Sequence, residues 1–285
     1  MDSMGRSARM KNQPDLKAFA ANMTTAVQRA ATIAHALEGR VTNTPKASEL
    51  TAVKQALTEA DTRVQEIILE ALLEYYPGVS LEAEEDTQGV KGFPAQGDSV
   101  VIIDPIDGTL QSYLEGRGPY ATIVGLAIGR RVESALVALP REGLLFRGTA
   151  GGGAEVIAGA GEPQPAVASA DGNGIIVSHN APAHVRAALE AEGFEVMPGC
   201  GGAVSVAPLL PGVRAGMRFV SQESEFGLSI RGRVGLTIAR EAGASVQGDR
   251  GEIFPDDLDT PHWTLSLAAN QRDQVLLREI MGREA

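Results

Sequence analysis

Apolar residues in the first part of the chain recur at helical spacing. Over residues 15–37 they return every three or four positions, which predicts an amphipathic helix with one buried face. The same period over residues 61–76 predicts a second helix, which the pair Pro77-Gly78 ends. Residues 41–49 contain polar residues and proline without periodicity, so they are predicted to form a loop.

Short β-branched and apolar runs replace the helical spacing from about residue 99 onward. They predict strands at residues 99–103, 121–128, 132–139 and 143–147. Because only short turn segments separate several of these runs, we expect an antiparallel meander packed on the two helices. The glycines at 151–153 predict a turn, and the stretch 157–172, rich in Ala, Gly and Pro, predicts a boundary region.

The second half of the chain alternates strand and helix patterns. Strands are predicted at 174–178 and 194–196, and helices at 183–192 and 235–242, the last ended by Gly243. The chain is therefore predicted to have an N-terminal α+β lobe, residues 1–155, and a C-terminal α/β lobe, residues 156–285.

Composition limits the classes of function. The 285 residues include 36 Asp and Glu against 25 Lys and Arg, which gives a net charge of −11 and argues against nucleic acid or an anionic membrane as the main partner. The hydrophobic fraction of 44% is enough for a packed core. A single cysteine, Cys200, forms neither an internal disulfide nor a multi-cysteine zinc site. No long apolar stretch follows Arg6 and Arg9, so we expect a cytoplasmic protein without a membrane span.

The segment Asp104-Pro105-Ile106-Asp107-Gly108-Thr109 carries the most specific chemistry. It follows a predicted strand, and a helix is predicted to begin at Leu110. Two carboxylates three residues apart are able to converge, and free amides at a helix start favour an anion such as phosphate. Because ionised carboxylates repel phosphate unless a hard cation lies between them, the segment predicts Mg²⁺ beside a phosphate. Asp-Pro and Asp-Gly also occur in ordinary turns.

An acidic run, Glu82-Ala83-Glu84-Glu85-Asp86, lies about twenty residues upstream. Alone, such a run is typical of a solvated surface. Glu84-Glu85 followed at this distance by the Asp104 segment, however, closely resembles the inositol monophosphatase family of Mg²⁺-dependent, Li⁺-sensitive phosphatases, whose motifs read Gly-Glu-Glu and Asp-Pro-Ile-Asp-Gly-Thr. Weaker matches are Thr58-Glu59-Ala60-Asp61, Gly151-Gly152-Gly153-Ala154 and Arg240-Glu241-Ala242-Gly243.

The resemblance covers roughly residues 15–275 and implies an α+β fold, a layered αβαβα sandwich of the inositol monophosphatase and fructose-1,6-bisphosphatase type. It implies a homodimer, because family members are commonly homodimers. It also implies Mg²⁺ as the cofactor, with Glu84, Asp104 and the main-chain carbonyl of Ile106 on a first ion. Asp104 and Asp107 would share a second ion.

The resemblance further implies roles in catalysis and substrate binding. Thr109 would help Glu84 orient the attacking water, with Asp107 completing the catalytic set, and the amides of Gly108 and Thr109 would hold the phosphate. Glu225 resembles a position that contacts the hydroxyl groups of the substrate, and reaching the metal is its alternative role.

One position departs from the family pattern. Family members carry Trp-Asp before the late helix, and that aspartate completes the second metal site. Counting back from the Arg240 motif gives Ile230-Arg231, and a shift of one residue gives Arg231-Gly232, so no carboxylate is found in either register. Three alternatives follow: Arg231 clamps phosphate directly, it points to solvent, or the protein has abandoned catalysis.

Two main functions follow from these residues. The leading one is a Mg²⁺-dependent phosphomonoesterase acting on a small polyol or sugar phosphate. The alternative is a catalytically impaired relative that binds a phosphorylated ligand or a protein partner, which Arg231 motivates. A scaffold role in transcription or RNA processing is a third and weaker idea, because the acidic composition argues against direct RNA contact. The sequence leaves the ester and the number of metal ions open.

Overall fold

The computed structural model describes residues 13–46, 57–220, 227–248 and 250–282. Its helices are α1 (Leu16–Leu37), α2 (Glu59–Tyr75), α3 (Ala183–Ala191), α4 (Gly201–Ser205), α5 (Leu236–Glu241) and α6 (Gln271–Met281). Its first strands are β1 (Ser80–Ala83), β2 (Ser99–Asp107), β3 (Ala121–Ile128), β4 (Arg131–Leu139), β5 (Leu144–Thr149), β6 (Gly153–Ala158) and β7 (Gln164–Pro165). The later strands are β8 (Gly174–Ser178), β9 (Glu195–Gly199), β10 (Val213–Phe219), β11 (Ser245–Gln247) and β12 (Thr264–Ala268).

Both predicted N-terminal helices are confirmed, and side-chain caps set where they begin. The Asp15 carboxylate accepts a hydrogen bond from the amide of Ala18 at 2.7 Å and starts α1. In α2, Thr58 and Asp61 form a reciprocal capping box, which starts the helix at Glu59 rather than at the predicted residue 61. None of the helices in the described ranges is long and apolar enough to cross a bilayer.

The first sheet follows chain order from β1 to β7 in the described part of the chain. Strands β2 to β7 pair antiparallel, which confirms the predicted meander. Strand β1 pairs parallel with β2 and was not predicted, because its four residues resemble a polar surface run. Strands β6 and β7 extend the sheet into the stretch 157–172, so the first part of the predicted boundary region is sheet.

Alternate residues of the first sheet face two different cores, as the two-residue period of a strand requires. Val101 and Ile103 pack toward α1 and α2, whereas Ile102 and Ile123 face a middle core that also contains residues of α4, α5 and the second sheet. The second sheet has the order β11-β12-β10-β8-β9, and its outer face packs on α3 and α6. The described residues therefore form helix, sheet, helix, sheet and helix layers, which confirms the predicted α+β layered sandwich.

The second half matches its predicted elements in part. The predicted strands at 174–178 and 194–196 correspond to β8 and β9, and the helices at 183–192 and 235–242 correspond to α3 and α5. Strands β10, β11 and β12 and helices α4 and α6 were not predicted. The lobe boundary after residue 155 stays a prediction, although the chain passes from the first sheet to the second between β7 and β8.

Candidate active site

The parallel pairing of β1 with β2 places Glu84 beside Asp104. Ala83 is the register partner of Ile103, and the amide of Glu84 donates to the Ile103 carbonyl at 3.1 Å. Because β1 and β2 run in the same direction, the residues that follow the paired Ala83 and Ile103 lie next to each other. The acidic run is therefore part of the site rather than a solvated surface.

An irregularity in β2 turns Asp104 and Asp107 toward the same layer. The pairing with β3 shifts between these residues, so that Asp104 faces Ile123 and Asp107 faces Ala121, which leaves one extra residue on β2. Pro105, which has no amide hydrogen, lies within the extra stretch. In a regular strand, residues three apart face opposite sides of the sheet. The additional residue changes this, so that both carboxylates face the middle core.

Asp104 is buried and lies against a carboxylate and a guanidinium. Burial raises its pKa well above the ordinary value, and the charge of Glu84, the charge of Asp107 and a hydrogen bond with Glu84 raise it further, while Arg231 opposes them. The Nη2 group of Arg231 donates to the carbonyl of Ala83 at 3.3 Å. Among the described residues, the Oδ1 atom of Asp104 and the Nε group of Arg231 are buried without a hydrogen-bond partner. Arg231 thus points into the site and not to solvent.

Asp107 is surrounded by donors of the chain itself. Its Oδ2 atom accepts a hydrogen bond from the amide of Gly202, at the start of α4. Burial raises the pKa of Asp107, whereas the charge of Arg218, the Gly202 amide and a hydrogen bond from the Cys200 side chain oppose that rise. The carboxylate is therefore partly neutralised before any ligand arrives.

Two glycines make room for the Arg218 guanidinium. A Cβ atom on Gly201 would lie 2.8 Å from Cζ of Arg218, and one on Gly232 would lie 2.2 Å from its Nη1. Arg218 also donates from Nη1 to the carbonyl of Ser229 at 3.3 Å. Only glycine at both positions leaves space for the side chain to reach Asp107.

The helix predicted to begin at Leu110 is instead a single short turn after β2. Residues Thr109–Leu114 form a single wide helical turn of the π type, not the start of a regular α-helix. Gly108 adopts a left-handed conformation with φ of +89°, and a Cβ atom there would lie 2.7 Å from the Cβ of Cys200. The carbonyl of Gly108 accepts from the amides of Ser112 and Tyr113. This closed turn fixes Thr109 directly behind the two aspartates.

Thr109 is held by the capping residues of α2. Its hydroxyl lies 3.1 Å from Oδ1 of Asp61 and 2.8 Å from the carbonyl oxygen of Ile106. The other carboxylate oxygen of Asp61 accepts from the Thr58 amide at 2.8 Å and from the Thr58 hydroxyl at 2.6 Å. Burial raises the pKa of Asp61 to about 6, although the hydrogen bonds from Thr58 and Thr109 oppose the rise. Asp61 thus connects the start of α2 to the site.

Lys46 and Gln65 hold the acidic run in place. The ammonium group of Lys46 lies 2.6 Å from Oε1 of Glu85 and 3.8 Å from Oε1 of Glu84. The buried Gln65 amide donates to the carbonyl of Glu85 at 2.7 Å and accepts from its amide at 3.0 Å. Burial raises the pKa of Glu85 to about 7, against the lowering effect of Lys46. The main chain that carries Glu84 is therefore anchored to α2.

The structure brings together most of the residues that the sequence singled out. Glu84, Asp104, Asp107 and Thr109 lie at one edge of the first sheet, with Gly108 in the adjoining turn. Arg231 reaches the same place from the middle layer, whereas Glu225 lies outside the described residues. Their roles in catalysis and binding stay predictions.

Sequence reasoning missed three charged or polar participants: Lys46, Gln65 and Arg218. Lys46 and Arg218 stand in segments without a recognisable motif, and each comes from an element distant in sequence. Gln65 could have been found, because it follows Asp61 by one helical turn on α2 and so shares its face.

One divalent ion suits this site better than two. Within the described ranges, no group of three or more His, Cys, Asp or Glu side chains is arranged to hold a metal ion. Mg²⁺ often uses only one or two carboxylates and completes its shell with water and substrate phosphate. Glu84 and the unpartnered oxygen of Asp104, with the Ile106 carbonyl nearby, fit that requirement. The surroundings of Asp107, filled by Gly202, Cys200 and Arg218, do not fit a second ion.

The comparisons with known proteins agree with this geometry. The model of the inositol monophosphatase family matches residues 19–204. Inositol monophosphatase 1 of Xenopus laevis is 32% identical over 98 residues, 34% of each chain. The fructose-1,6-bisphosphatase/inositol-1-monophosphatase of Thermotoga maritima is 30% identical over 102 residues, 36% of each chain. Each of these matches spans about a third of the relative's length.

Solved structures extend the likeness of the fold over nearly the whole chain. The extragenic suppressor protein suhB of Bartonella henselae superposes with a TM-score of 0.70 at 18% identity, covering 94% of this chain and 100% of the other. A staphylococcal IMPase-I complexed with products superposes with a TM-score of 0.69 at 17% identity, covering 95% and 97%. At such identities the superpositions establish the fold alone. The match to the family model shows that the chain belongs to the inositol monophosphatase family.

Proposed function

We propose that this protein is a Mg²⁺-dependent phosphomonoesterase that hydrolyses the phosphate ester of a small polyol or sugar. One observation carries the proposal most directly. Asp104 Oδ1 and Arg231 Nε are both buried and unpartnered among the described residues, one an acceptor and the other a donor. A cation satisfies the first and an anion satisfies the second, and a Mg²⁺–phosphate pair supplies both together.

Glu84, Asp104 and the carbonyl of Ile106 would hold the Mg²⁺. The ion, when bound, supplies charge stabilisation for the phosphoryl group and lowers the pKa of a coordinated water. Thr109 would help Glu84 to orient that water, because its hydroxyl has Asp61 as a fixed partner 3.1 Å away. As a carboxylate, Asp61 accepts hydrogen bonds on both oxygens, so its ionised form orients the Thr109 hydroxyl while it caps α2.

The phosphate is held from two sides in this proposal. The turn at Gly108 and Thr109 offers main-chain amides, and Arg231 offers a guanidinium, whose fork of N–H donors matches phosphate oxygens. Positive charge in this place offsets the repulsion between the phosphate dianion and the carboxylates of Glu84 and Asp104. Arg231 therefore takes part in substrate binding.

The substrate class rests on the relatives. The curated relatives are inositol monophosphatases, and one carries fructose-1,6-bisphosphatase activity in its name. Their substrates are small phosphorylated polyols and sugars. We extend that class to this chain and propose that Glu225, which resembles a position that contacts substrate hydroxyls, contributes to the choice among them.

A panel of phosphomonoesters tests the function. Purified protein with Mg²⁺ is expected to release inorganic phosphate from inositol 1-phosphate, fructose 1,6-bisphosphate or a related ester, and the Asp104→Asn variant is expected to lose at least about 100-fold in kcat/KM. Asp171→Asn, on an exposed residue, serves as the matched control. Folded protein that releases no phosphate across the panel would contradict the proposal.

The placement of Arg231 also favours a second candidate function, the binding of a phosphorylated ligand without turnover. A guanidinium next to Asp104 reduces the attraction of the site for cations. Arg231→Asp separates the two functions. Loss of phosphate release in this variant supports catalytic participation of the arginine, whereas a gain of release from an inactive wild type supports the binding function.

Location and assembly belong to the same proposal. The thiol of Cys200 is buried and free, which suits a reducing compartment such as the cytoplasm. A homodimer is proposed from the family resemblance. Sedimentation of the purified chain tests the assembly directly.

A further inference from the structure

We infer that the guanidinium groups of Arg218 and Arg231 stand in the place of a second metal ion, so that this protein loads a single divalent ion per chain. The inference rests on the proposed function and deepens it, because it assigns the phosphate-neutralising charge to two side chains. The two guanidinium groups would act in the space between Asp104 and Asp107, the two carboxylates that the family resemblance implies share a second ion.

Groups of the protein already partly compensate the charge of Asp107. The Gly202 amide donates to its Oδ2 atom, and the nearby Cys200 thiol also interacts with the carboxylate. The charge of the Arg218 guanidinium also acts on this carboxylate. A cation bound to Asp107 would have to compete with these donors and lie near a guanidinium of like charge.

The backbone around Arg218 is shaped to hold this side chain in the site. Gly201 and Gly232 belong to separate elements, and a Cβ atom on either would clash with the guanidinium. The carbonyl of Ser229 accepts from its Nη1 group at 3.3 Å. The guanidinium therefore occupies a space that the two glycines leave open beside Asp107.

Arg231 closes the other side of the same space. Its Nη2 group is tied to the carbonyl of Ala83, which directly precedes the proposed ligand Glu84. Its charge acts on Asp104, and its buried Nε group has no acceptor among the described residues. Arg231 thus opposes a second cation and keeps one donor free for an anion such as a phosphate oxygen.

Counting bound Mn²⁺ tests the inference without relying on turnover. Calorimetric titration and electron paramagnetic resonance of the full chain, with inorganic phosphate present, are expected to give one Mn²⁺ per chain for the wild type. The double variant Arg218→Met/Arg231→Asp is expected to take up two. Arg231→Lys, which keeps the positive charge, is expected to remain at one. Arg63→Asp, which makes the Arg-to-Asp change of position 231 at an exposed ion pair, is the control and is also expected to remain at one.

Each outcome decides the matter. A wild type that binds two ions, or none, overturns the inference, and so does a double variant that stays folded by circular dichroism yet binds no more than the wild type. If the double variant fails to fold, the wild-type count alone decides. Phosphate release is measured on the same samples: one ion without activity contradicts the proposed function only, and two ions with activity contradict this inference only.

Discussion

The hydroxyl of Thr109 lies 3.1 Å from the Asp61 carboxylate, although 48 residues separate them along the chain. Asp61 caps the helix on which it stands, so one side chain fixes both the start of α2 and the orientation of Thr109. A capping residue normally serves stability alone. Here the same carboxylate is buried with its pKa raised to about 6. Its ionised form therefore lowers the stability of the fold, while it orients Thr109 for the proposed reaction.

Asp61→Asn is expected to stabilise the fold and to reduce activity. Because burial raises the pKa of Asp61 from 3.8 to about 6, the folded protein binds this proton more tightly than the unfolded chain does. The stabilisation is complete below about pH 4 and is lost as the pH rises through 6. At pH 8 the variant should therefore gain up to about 3 kcal/mol in its free energy of unfolding, with little change near pH 4.

Urea denaturation at the two pH values measures this gain, and phosphate release at pH 8 should fall about 100-fold, since Asn no longer presents a carboxylate to Thr109. Asp171→Asn, at an exposed aspartate, should change neither quantity. A variant that is equally stable at both pH values, or that retains full activity, would contradict the role given to Asp61.

Gly108→Ala is expected to destabilise the protein more than the same change at another left-handed glycine. Gly108 has φ of +89° and its added Cβ would approach Cys200 and Ser112, whereas Gly129 has φ of +56° and open space around it. The backbone penalty of about 1 kcal/mol applies to both positions. The clash adds about 1–3 kcal/mol at Gly108 alone. Thermal unfolding of the two variants measures the difference, and equal losses would show that the turn does not depend on this close approach.

Gln65→Ala is expected to lower the free energy of unfolding by about 2–4 kcal/mol, because it leaves the amide and the carbonyl of Glu85 buried without their partner. Gln28→Ala, which removes a partly exposed hydrogen bond to Gly159, should cost less than about 1 kcal/mol. Activity should also fall at Gln65, since Glu84 adjoins the released segment. A loss no larger than that at Gln28 would show that Glu85 is held by other contacts.

Sequence reasoning succeeds where the residues that act together are neighbours along the chain. The helices over 15–37 and 61–76 and the meander follow from local periodicity, and the Asp104 segment predicts its own convergence. The two carboxylates converge because the strand pairing is irregular around Pro105, and the spacing of the residues alone does not reveal this irregularity. A one-residue insertion in a strand reverses the facing of every later side chain, and only the paired strand shows where it occurs.

The contacts that remained unpredicted join distant segments. Arg218 stands in a strand whose sequence gave no clear pattern, and its partner Asp107 lies on the other sheet of the sandwich. The slot between Gly201 and Gly232 exists only once three elements meet. Arg231 was identified as a departure from the family pattern, but its direction depended on the position of the Ala83 carbonyl, which belongs to the unpredicted strand β1.

A double-mutant cycle on Asp107 and Arg218 is expected to reveal coupling between the two sheets. Arg218→Met leaves the buried carboxylate without a nearby cation and should cost about 2–4 kcal/mol. Asp107→Asn has two opposing effects: it removes a carboxylate whose pKa burial raises, and it leaves the guanidinium without a counter-charge. The double variant should cost less than the sum of the single changes by about 1–3 kcal/mol, because neither charge is left behind. Denaturant unfolding of the four proteins gives the coupling energy. Strictly additive losses would mean that Arg218 stabilises the fold through its slot alone, and the charge compensation of Asp107 would then come from Gly202 and Cys200.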